Sequence, residues 1–495
     1  MVWFFNKIKN NQDKCKTLIV YCNKTLPFGS NKQIIYKLYR MSSIKAMFFF
    51  LLVSLQLTAQ EKKWTLRECI DYAIQNNISV KSSELDLKNV AINKKDALGN
   101  FMPNINASAS HSWNIGLNQN ITTGLLQNQT TQFSAAGLNA NVDLFKGLQN
   151  QSLLRKANLS LIASQYQLLK IQEDVALNVA NAYLQILFNK EALKVQQQQL
   201  DYNNTQLQRT TDLVQAGVVP RGDLLDIKAT VAGDAQRLIL AKNTLLISKL
   251  SLAQLLRLDE FENFDVSNDE ISVSESAVLL QSSENIVQKA KENRTELKIA
   301  ESNVEIAKKD ISIAKGAYLP SLTAFYSFNT RASYSDRVVG FQTNGTPILD
   351  GALPLLEQFD INKGQNFGMQ LSVPVFNGFS IRNNVQRSKI AYEKAKLNYD
   401  QTELDLERNV FIAYTDTKAA QESYSAAQVT LEARLLSFNY AKERYDVGLM
   451  NVFDFNQAQT LLVNAQSEAL RTKYDYIFRT KILEFYFGIP LIEKQ

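Results

Sequence analysis

The sequence predicts an α+β membrane protein, internally duplicated, that combines long α-helical hairpins with four β-strands per chain. Three observations carry this prediction. Residues 142–258 return as residues 373–489 at a constant shift of 231 positions, without a gap. Residues 149–214 contain neither proline nor glycine, which is typical of one very long helix. Four shorter segments alternate between apolar and polar residues, which is typical of strands with two different faces.

The duplication organises most of the chain. Its recurring residues are Phe145, Gly147, Asn178, Val179, Ala182, Tyr183, Gly217 and Asp223 in the first copy, and Phe376, Gly378, Asn409, Val410, Ala413, Tyr414, Gly448 and Asp454 in the second. Agreement at one shift over more than a hundred positions excludes a chance similarity. We expect a first repeat over residues 61–270 and a second over residues 271–495, each made of a helix, two strands and a long helical hairpin.

Residues 1–60 are expected to be removed from the working protein. They hold nine Lys/Arg and one Asp, so the net charge of +6 becomes −2 without them (+6 less +8). Residues 41–60 have the pattern of a signal peptide, with Lys45, an apolar stretch over residues 46–55 and a small-residue exit at Leu57-Thr58-Ala59. Met41 is then the true start, or residues 1–40 are a genuine basic extension. Because the net positive charge comes from this segment, it gives no reason to expect a nucleic-acid partner.

The first helix is expected to begin after Thr65, because Thr65 and Glu68 have the spacing of a capping box. It should break at Asn76-Asn77 and end before Pro103. The same block recurs at a shift of 217 positions and ends before Pro320.

After each of these prolines the sequence alternates. Each half supplies two strands of about ten residues, the length that crosses a bilayer as a tilted strand. Residues 114–131 and 331–365 are interpreted as loops between the paired strands. The apolar positions are Ile105, Ala107, Ala109, His111 and Trp113; Leu138, Ala140, Val142 and Leu144; Leu322, Ala324, Tyr326 and Phe328; and Met369, Leu371, Val373 and Val375.

The helix over residues 149–214 would be a rod of roughly 100 Å at about 1.5 Å per residue. Its distal part is polar, as expected for a narrow coiled-coil seam. Turns over residues 216–223 and 447–454 reverse the two rods. Between the halves, the acidic segment 259–284 is expected to be a solvated connector.

Each turn holds a glycine that is followed six residues later by an aspartate. Gly217 and Gly448 suit helix C-caps, and Asp223 and Asp454 suit N-caps of the returning helices. Any helical hairpin can carry such caps, but their recurrence at equal spacing favours a functional site.

One chain cannot form a membrane pore by itself. Hydrocarbon does not tolerate the unpaired backbone of an open sheet edge, and the smallest barrels have about eight strands. Four strands per chain therefore predict that several copies pool their strands, surrounded by outer-membrane lipid.

The doubled order of helix, strands, helix, turn and helix resembles the TolC-type outer-membrane efflux family over residues 62–490. Two motifs add to the resemblance: Ala317-Tyr318-Leu319-Pro320 before a strand, and Tyr445-x-x-Gly448-Leu449 leading to Asp454. It implies a homotrimer whose twelve strands form one outer-membrane β-barrel, continued by an α-helical tunnel in the periplasm. It also implies a passive exit duct that docks to a periplasmic adaptor (membrane-fusion) protein and an inner-membrane RND or ABC pump.

The same resemblance assigns roles to the two turns. The adaptor-docking tips would be Gly217, Val218, Val219, Pro220 and Arg221 in the first turn, and Gly448, Leu449, Met450 and Asn451 in the second. The aperture gate would be formed by Asp223, Asp226, Tyr445 and Asp454. Two positions depart from the family's best-known member: Met450 stands where an arginine closes the gate, and Gln457 stands where a second acidic ring would lie. Arg221 is a candidate substitute for that arginine.

Other function classes have less support. The chain has one histidine, no nucleophile motif, no phosphate-binding glycine loop and no metal-spaced Cys/His set, so no enzymatic activity, cofactor or metal is expected. A structural coiled-coil protein of the periplasm, without channel activity, would not explain four alternating segments. Within the channel class, type I protein secretion is an alternative to the efflux of drugs or metal ions.

Overall fold

A computed structural model of the chain describes residues 63–119, 124–259, 264–267 and 277–489. The expected signal peptide, the rest of residues 1–60 and the expected boundary between the repeats at residue 270 lie outside these ranges. Everything below concerns the unit that begins at Lys63.

The duplication is visible in the bounds of the helices. The first half contains β1 (Lys63–Trp64), α1 (Leu66–Asn76), α2 (Ile78–Gly99), β2 (Asn104–Gln119), β3 (Leu126–Lys146), α3 (Gln149–Gln215) and α4 (Arg221–Leu256). The second half contains β4 (Asp265–Val266), α5 (Ser283–Asn293), α6 (Thr295–Gly316), β5 (Ser321–Ser333), β6 (Arg337–Phe341), β7 (Pro347–Asp350), α7 (Leu355–Ile361), β8 (Gly364–Ser372), α8 (Ser380–Asp446) and α9 (Val452–Phe487). Helices α3 and α4 match α8 and α9 at the shift of 231, and α1 and α2 match α5 and α6 at the shift of 217, so the duplication is confirmed.

The capping box at the start of α1 is confirmed. The Thr65 hydroxyl accepts a hydrogen bond from the Glu68 N–H (3.2 Å), and the Glu68 carboxylate accepts one from the Thr65 N–H (3.0 Å). The expected break is confirmed as well, since Asn77 has an extended backbone and its side chain caps α2.

Within the described residues, the four strands that were expected to cross a membrane form one antiparallel sheet in the order β2-β3-β5-β8. One row across all four strands contains the predicted apolar positions Ile105, Ala140 and Tyr326 together with Phe367, which lies two residues before the predicted Met369. The next row, on the opposite face, contains Asn106, Asn139, Ser327 and Asn366. The alternation is therefore confirmed: the sheet has an apolar face and a polar face, and its edges β2 and β8 are left open.

The lengths expected for the strands of the first half were wrong. Strands β2 and β3 have 16 and 21 residues, and they stay paired from Asn114 opposite Thr131 to Gln119 opposite Leu126. The Asn, Gln and Thr residues that suggested a loop are compatible with a strand ladder that continues beyond the apolar zone, because the ladder uses backbone groups only. The region expected as a second long loop likewise contains β6, β7 and α7.

The strand-to-helix junctions require a left-handed backbone. Gly147 has a φ of +55° and the repeat-equivalent Gly378 a φ of +60°. A Cβ on Gly147 would lie 2.0 Å from the carbonyl oxygen of Gly316, whereas a Cβ on Gly378 would meet nothing within 4 Å. The start of α3 thus touches the end of α6 through two glycine backbones.

Two hydrophobic clusters hold the helices together near the middle of the long hairpins. The first joins α1, α3 and α4 around Ile70, Tyr183 and Leu252. The second joins α5, α8 and α9 around Ile286, Val410 and Leu483. The clusters occupy equivalent places in the two repeats, which explains why the apolar pattern is strongest there.

The acidic connector is not simply solvated, and this expectation was wrong for its residues 264–267. Phe264 and Val266 are buried in the first cluster, and β4 pairs in parallel with β1. Asp265 between them forms ion pairs with Lys190 (2.8 Å) and Lys249 (2.9 Å). Two apolar side chains that flank one carboxylate therefore attach the connector to α3 and α4.

We expect Asp265→Ala to lower the free energy of unfolding by about 2–4 kcal/mol, because it removes the carboxylate that neutralises two mostly buried lysines. Burial raises the pKa of the Asp265 carboxyl, but hydrogen bonds and charge from Lys190 and Lys249 outweigh this and leave the pKa below its usual value. The stabilisation is thus present above the unfolded pKa of about 3.9 and is lost as the pH falls through the lower folded value. Thermal unfolding of the detergent-extracted protein, followed by circular dichroism between pH 7 and pH 3, measures both effects. The exposed Asp259→Ala is the control, and equal destabilisation by the two variants would contradict the prediction.

Candidate functional site at the two helical turns

Each long hairpin reverses through a glycine in the left-handed conformation. Gly217 has a φ of +75°, its N–H donates to the Val214 carbonyl (3.1 Å), and the Val218 N–H donates to the Leu213 carbonyl (2.9 Å). The second turn repeats this Schellman motif around Gly448, with a φ of +78°. The predicted C-caps are confirmed, and no side chain would be crowded at either glycine, since a Cβ there meets nothing within 4 Å.

The returning helices do not begin at the aspartates, so the predicted N-caps were wrong. Pro220 occupies the N-cap position of α4 without a side-chain capping hydrogen bond, and Asp223 lies in the first turn. Helix α9 is capped by Asn451, whose side chain accepts from the Asp454 N–H (2.8 Å) and donates to the Asp454 carboxylate (2.9 Å). Both carboxylates instead lie at a helix N-terminus, where the helix dipole favours a negative charge.

The two turns present apolar side chains to solvent. Val218 is 67 % exposed in the first turn, and Leu449 and Phe453 are 71 % and 76 % exposed in the second. Val219 and Met450 are half-buried, and the other residues assigned to the tips, Gly217, Pro220, Arg221, Gly448 and Asn451, are exposed. An apolar protrusion of this kind at the end of a helical hairpin is suited to contact a partner protein.

An aromatic cluster lies just behind the second turn. The ring of Tyr445 stacks on Phe455 at a centroid distance of 4.5 Å and an interplanar angle of 13°. Phe438 lies 5.7 Å from Phe455, and Tyr202 of the first hairpin lies 6.0 Å from Phe438. The cluster, Tyr202, Phe438, Tyr445 and Phe455, thus joins α3 to α8 and α9.

The hydroxyl of Tyr445 stays protonated at physiological pH. Burial raises its pKa, the nearby charge of Arg209 partly offsets this, and the negative charge of Asp223 raises the pKa again. Asp223 of the expected gate is half-buried in the first turn of α4. Asp226 and Asp454 make their observed contacts with Thr230 and Asn451 of their own helices.

An ion pair that sequence reasoning missed connects the two hairpins at this level. The guanidinium of Arg209 on α3 pairs with the carboxylate of Asp446, the last residue of α8. Arg221, the arginine considered for such a role, has no carboxylate within ion-pair distance among the residues that the structure describes. Both side chains of the observed pair are partly exposed, so the contact is accessible to solvent.

A buried polar network lies farther from the turns. Gln459 of α9 donates to the side-chain oxygen of Asn203 on α3 (2.9 Å), and Asn203 donates to the carboxylate of Asp234 on α4. Arg237 completes the network by pairing with Asp234. Asn203, Asp234 and Gln459 are all buried, so the network joins three helices of both hairpins where a coiled-coil seam would be apolar.

A signal for these missed contacts exists in the sequence. At the shift of 231, Arg209 corresponds to Tyr440 and Asp446 to Gln215, so neither residue is retained in the other copy. The same holds for the buried network, in which Asn203, Asp234 and Gln459 correspond to Arg434, Ala465 and Lys228. A contact between the two hairpins joins two different surfaces, so it needs different residues in the two copies. Positions at which the copies differ therefore indicate where such contacts lie.

The turns offer packing and charge, but no reaction centre. Within the described ranges no group of three or more His, Cys, Asp and Glu side chains could hold a metal ion. Exposed apolar tips, an aromatic cluster and a solvent-accessible ion pair are instead the parts of a protein contact that can change its geometry.

Comparison with known proteins gives consistent results. The family model described as outer membrane efflux protein matches residues 69–256 and 286–487. Outer membrane protein TolC of Salmonella enteritidis is 22 % identical over 430 residues, which cover 86 % of this chain and 82 % of the relative. Cation efflux system protein CusC of Escherichia coli K12 is 22 % identical over 422 residues, which cover 83 % of this chain and 83 % of the relative.

Among solved structures, the CmeC outer membrane channel of Campylobacter jejuni superimposes with a TM-score of 0.72 at 20 % identity, covering 87 % of both chains. The open state of the MtrE outer membrane channel of Neisseria gonorrhoeae superimposes with a TM-score of 0.66 at 18 % identity, covering 86 % of this chain and 89 % of MtrE.

Proposed function

The chain belongs to the outer membrane efflux protein family, and from this premise we propose that it is the exit duct of a tripartite system, docked through its helical turns. As a member of this family it is an outer-membrane efflux channel with a helical tunnel in the periplasm, and it is a transport protein, not an enzyme. The partners in the proposal are a periplasmic adaptor protein and an inner-membrane RND or ABC pump. Residues 1–60 are removed during export, and the two repeats over 61–270 and 271–495 form the working chain.

The duct is a homotrimer in this proposal. The open edges β2 and β8 support it, because an unpaired backbone edge is costly in hydrocarbon and three four-stranded sheets joined edge to edge give twelve strands. The composition of α4 also supports a homotrimer. Among the described helices, only α4 is long and apolar enough to cross a membrane, but it pairs with α3 in a hairpin, so its apolar surface needs another protein partner. The exposed Ile239, Leu240 and Ile247 on α4 are then covered by a neighbouring copy.

The observation that carries the docking proposal is the pair of exposed apolar turns. Val218, Leu449 and Phe453 are on average more than two-thirds exposed, and they lie in two turns with the same Schellman geometry. A helical hairpin of an adaptor could cover these side chains with an apolar face of its own. The glycines keep the turns narrow, because any side chain at Gly217 or Gly448 would project into open space where the partner approaches.

The test replaces both glycines with leucine. A non-glycine residue in the left-handed conformation costs about 1 kcal/mol at each site, so the hairpins should still fold and the channel should still insert. We expect export to be lost and cross-linking to the adaptor to fall sharply, while the heat-modifiable oligomer band stays normal. The matched control is Gly217→Asn with Gly448→Asn, since asparagine tolerates this conformation and has a smaller side chain. Unchanged export in the leucine variant would contradict docking at the turns.

The gate of the proposed duct is formed at the same level by Tyr445, Asp223 and the Arg209–Asp446 pair, with Asp226 and Asp454 nearer solvent. A pair with both partners partly exposed is worth about 0–1 kcal/mol, so a docking partner can break it at small cost. Phe438, Tyr445 and Phe455 stack within the second hairpin and keep α8 and α9 together when the pair opens, whereas the contacts of Tyr202 across the hairpins separate with it. Adaptor contact at the turns therefore separates the hairpins from each other and not the helices within one hairpin.

A further inference from the structure

Helix α7, within the long segment between β5 and β8, buries one amide side chain and exposes two large apolar side chains together with two carboxylates. Gln358 faces the protein and is only 8 % exposed. Leu356 and Ile361 point away from it and are 80 % and 61 % exposed, and Glu357 and Asp360 on the same outward side are exposed as well. An outward side that combines exposed leucine and isoleucine with carboxylates suits the boundary between acyl chains and lipid headgroups, where apolar and charged groups are both solvated.

The buried amide has a specific task at the edge of the sheet. Strand β8 begins at Gly364, opposite Asn329, so the last residues of β5 have no strand partner on that side. Gln358 takes the place of that partner: its side-chain oxygen accepts from the Ser333 N–H (3.0 Å) and its nitrogen donates to the Ser333 carbonyl (3.0 Å). Asn362 donates to the Arg331 carbonyl in the same way (2.8 Å). Water could satisfy these groups in an aqueous loop, whereas within or beside hydrocarbon the protein must supply the partners.

The helix covers the apolar face of the sheet and not the polar one. Thr330 has the same parity as Tyr326 and Phe328 of the apolar face, and its hydroxyl donates to the Phe359 carbonyl of α7 (2.7 Å). Ala332, next on this face, is buried. The polar face, with Asn139, Ser327 and Asn366, is on the other side of the sheet.

The position of α7 along the strands follows from the cross-strand row that contains Ala332. The register joins His111, Ser134 and Ala332 across three strands. The His111 ring lies 4.2 Å from the ring of Trp113 and 5.6 Å from that of Tyr334. Aromatic side chains of this kind concentrate where hydrocarbon meets the polar interface of a membrane barrel. Helix α7 is therefore at the outer boundary of the apolar zone.

We propose that α7 is a membrane-contact helix at the interface of the outer leaflet, where Leu356 and Ile361 enter the upper acyl chains and Glu357 and Asp360 remain among the headgroups. The occupant of this surface is lipid, because the surface continues the apolar face of the sheet and lies beside its aromatic row. Gln358 and Asn362 close the backbone edge that lipid could not satisfy. This inference goes beyond docking at the helical turns and depends only on the position of the sheet in the outer membrane.

The test uses nitroxide spin labels on single cysteines in the full-length protein, reconstituted in liposomes of phosphatidylethanolamine and phosphatidylglycerol. The labelled variants are Leu356→Cys and Ile361→Cys. Phe367→Cys and Asn366→Cys, neighbours on opposite faces of β8, calibrate the lipid side and the polar side, and Asn344→Cys in the β6–β7 turn marks water. Of the three native cysteines, Cys15 and Cys22 lie in residues 1–60 and are replaced by serine, and Cys69 is fully buried, so it should not react. Accessibility to oxygen, which partitions into lipid, is compared with accessibility to a water-soluble nickel chelate.

We expect the labels at 356 and 361 to resemble the label at 367, with several-fold higher accessibility to oxygen than to nickel. Labels that resemble the one at 344 would put α7 in water and overturn the proposal. Labels that neither reagent reaches would mean that another copy of the chain covers α7, which also overturns it. If the label at 367 itself prefers nickel, the sheet is not in the membrane, and the proposal falls together with the channel. A heat-modifiable oligomer band in every variant shows that the labelled proteins are folded.

Discussion

Gly147→Ala is expected to prevent accumulation of the folded channel, whereas the repeat-equivalent Gly378→Ala is expected to be mild. Both glycines have a positive φ, so alanine costs about 1 kcal/mol of backbone strain at either site. Only at Gly147 would the new Cβ lie 2.0 Å from a backbone carbonyl, that of Gly316. Forcing α3 and α6 apart adds about 1–3 kcal/mol or more, since neither backbone can move without disturbing its helix. The measurement is the amount of heat-modifiable protein in the outer-membrane fraction, together with its thermal midpoint.

The comparison between the two alanine variants contains its own control. The sequence context is duplicated and the φ angles of the two glycines, +55° and +60°, are similar, so the backbone strain of alanine should be about the same at both sites. Gly316→Ala should reproduce the defect of Gly147→Ala, because its Cβ would lie 2.5 Å from the Gly147 carbonyl oxygen. Equal behaviour of Gly147→Ala and Gly378→Ala would show that strain alone matters and that the close approach of the helices does not.

Reversing the charge of Asp446 is expected to open the periplasmic end of the duct. Asp446→Arg turns an attraction with Arg209 into a repulsion, a change of about 1–2 kcal/mol per chain for partly exposed groups. If three copies open together, as proposed above, the changes add to about 3–6 kcal/mol. Roughly 5.5 kcal/mol moves a two-state equilibrium from 1:99 to 99:1, so a mostly closed channel becomes substantially open. We expect a several-fold rise in single-channel conductance in planar bilayers.

The paired exchange separates this effect from general damage. Arg209→Asp combined with Asp446→Arg restores the attraction and should return the conductance close to that of the unaltered protein. Asp212→Arg, one turn from Arg209 on the same helix and without an ion pair in the described structure, is the matched control. A double exchange that conducts as strongly as the single variant would exclude the pair from the gate.

The parts of this protein that could be predicted are those with local causes. The absence of proline and glycine determines the extent of α3, and a left-handed glycine ends it, so both ends were found without reference to anything distant. The capping box at Thr65 depends on residues only three apart. Polar composition was the weakest guide: it suggested a loop where β2 and β3 continue, because strand pairing depends on the backbone and not on the side chains.

The candidate site was located but not assembled by sequence reasoning. The positions of the turns followed from Gly217 and Gly448. The contact of Arg209 with Asp446 joins residues 237 positions apart, and the contact of Gln459 with Asn203 joins residues 256 apart. Such pairs depend on which hairpin lies against which, and a duplicated sequence leaves several pairings open.

What the sequence by itself determined is the doubled architecture, the length and ends of the hairpins, and the two unlike faces of the strands, since spacing along the chain is their cause. Only the tertiary structure decided that Asp265 attaches the connector to α3 and α4, that Gln358 replaces a missing strand, and that Gly147 touches Gly316. Each of these contacts brings together groups that are far apart in sequence and whose desolvation or steric cost arises only when the chain has folded.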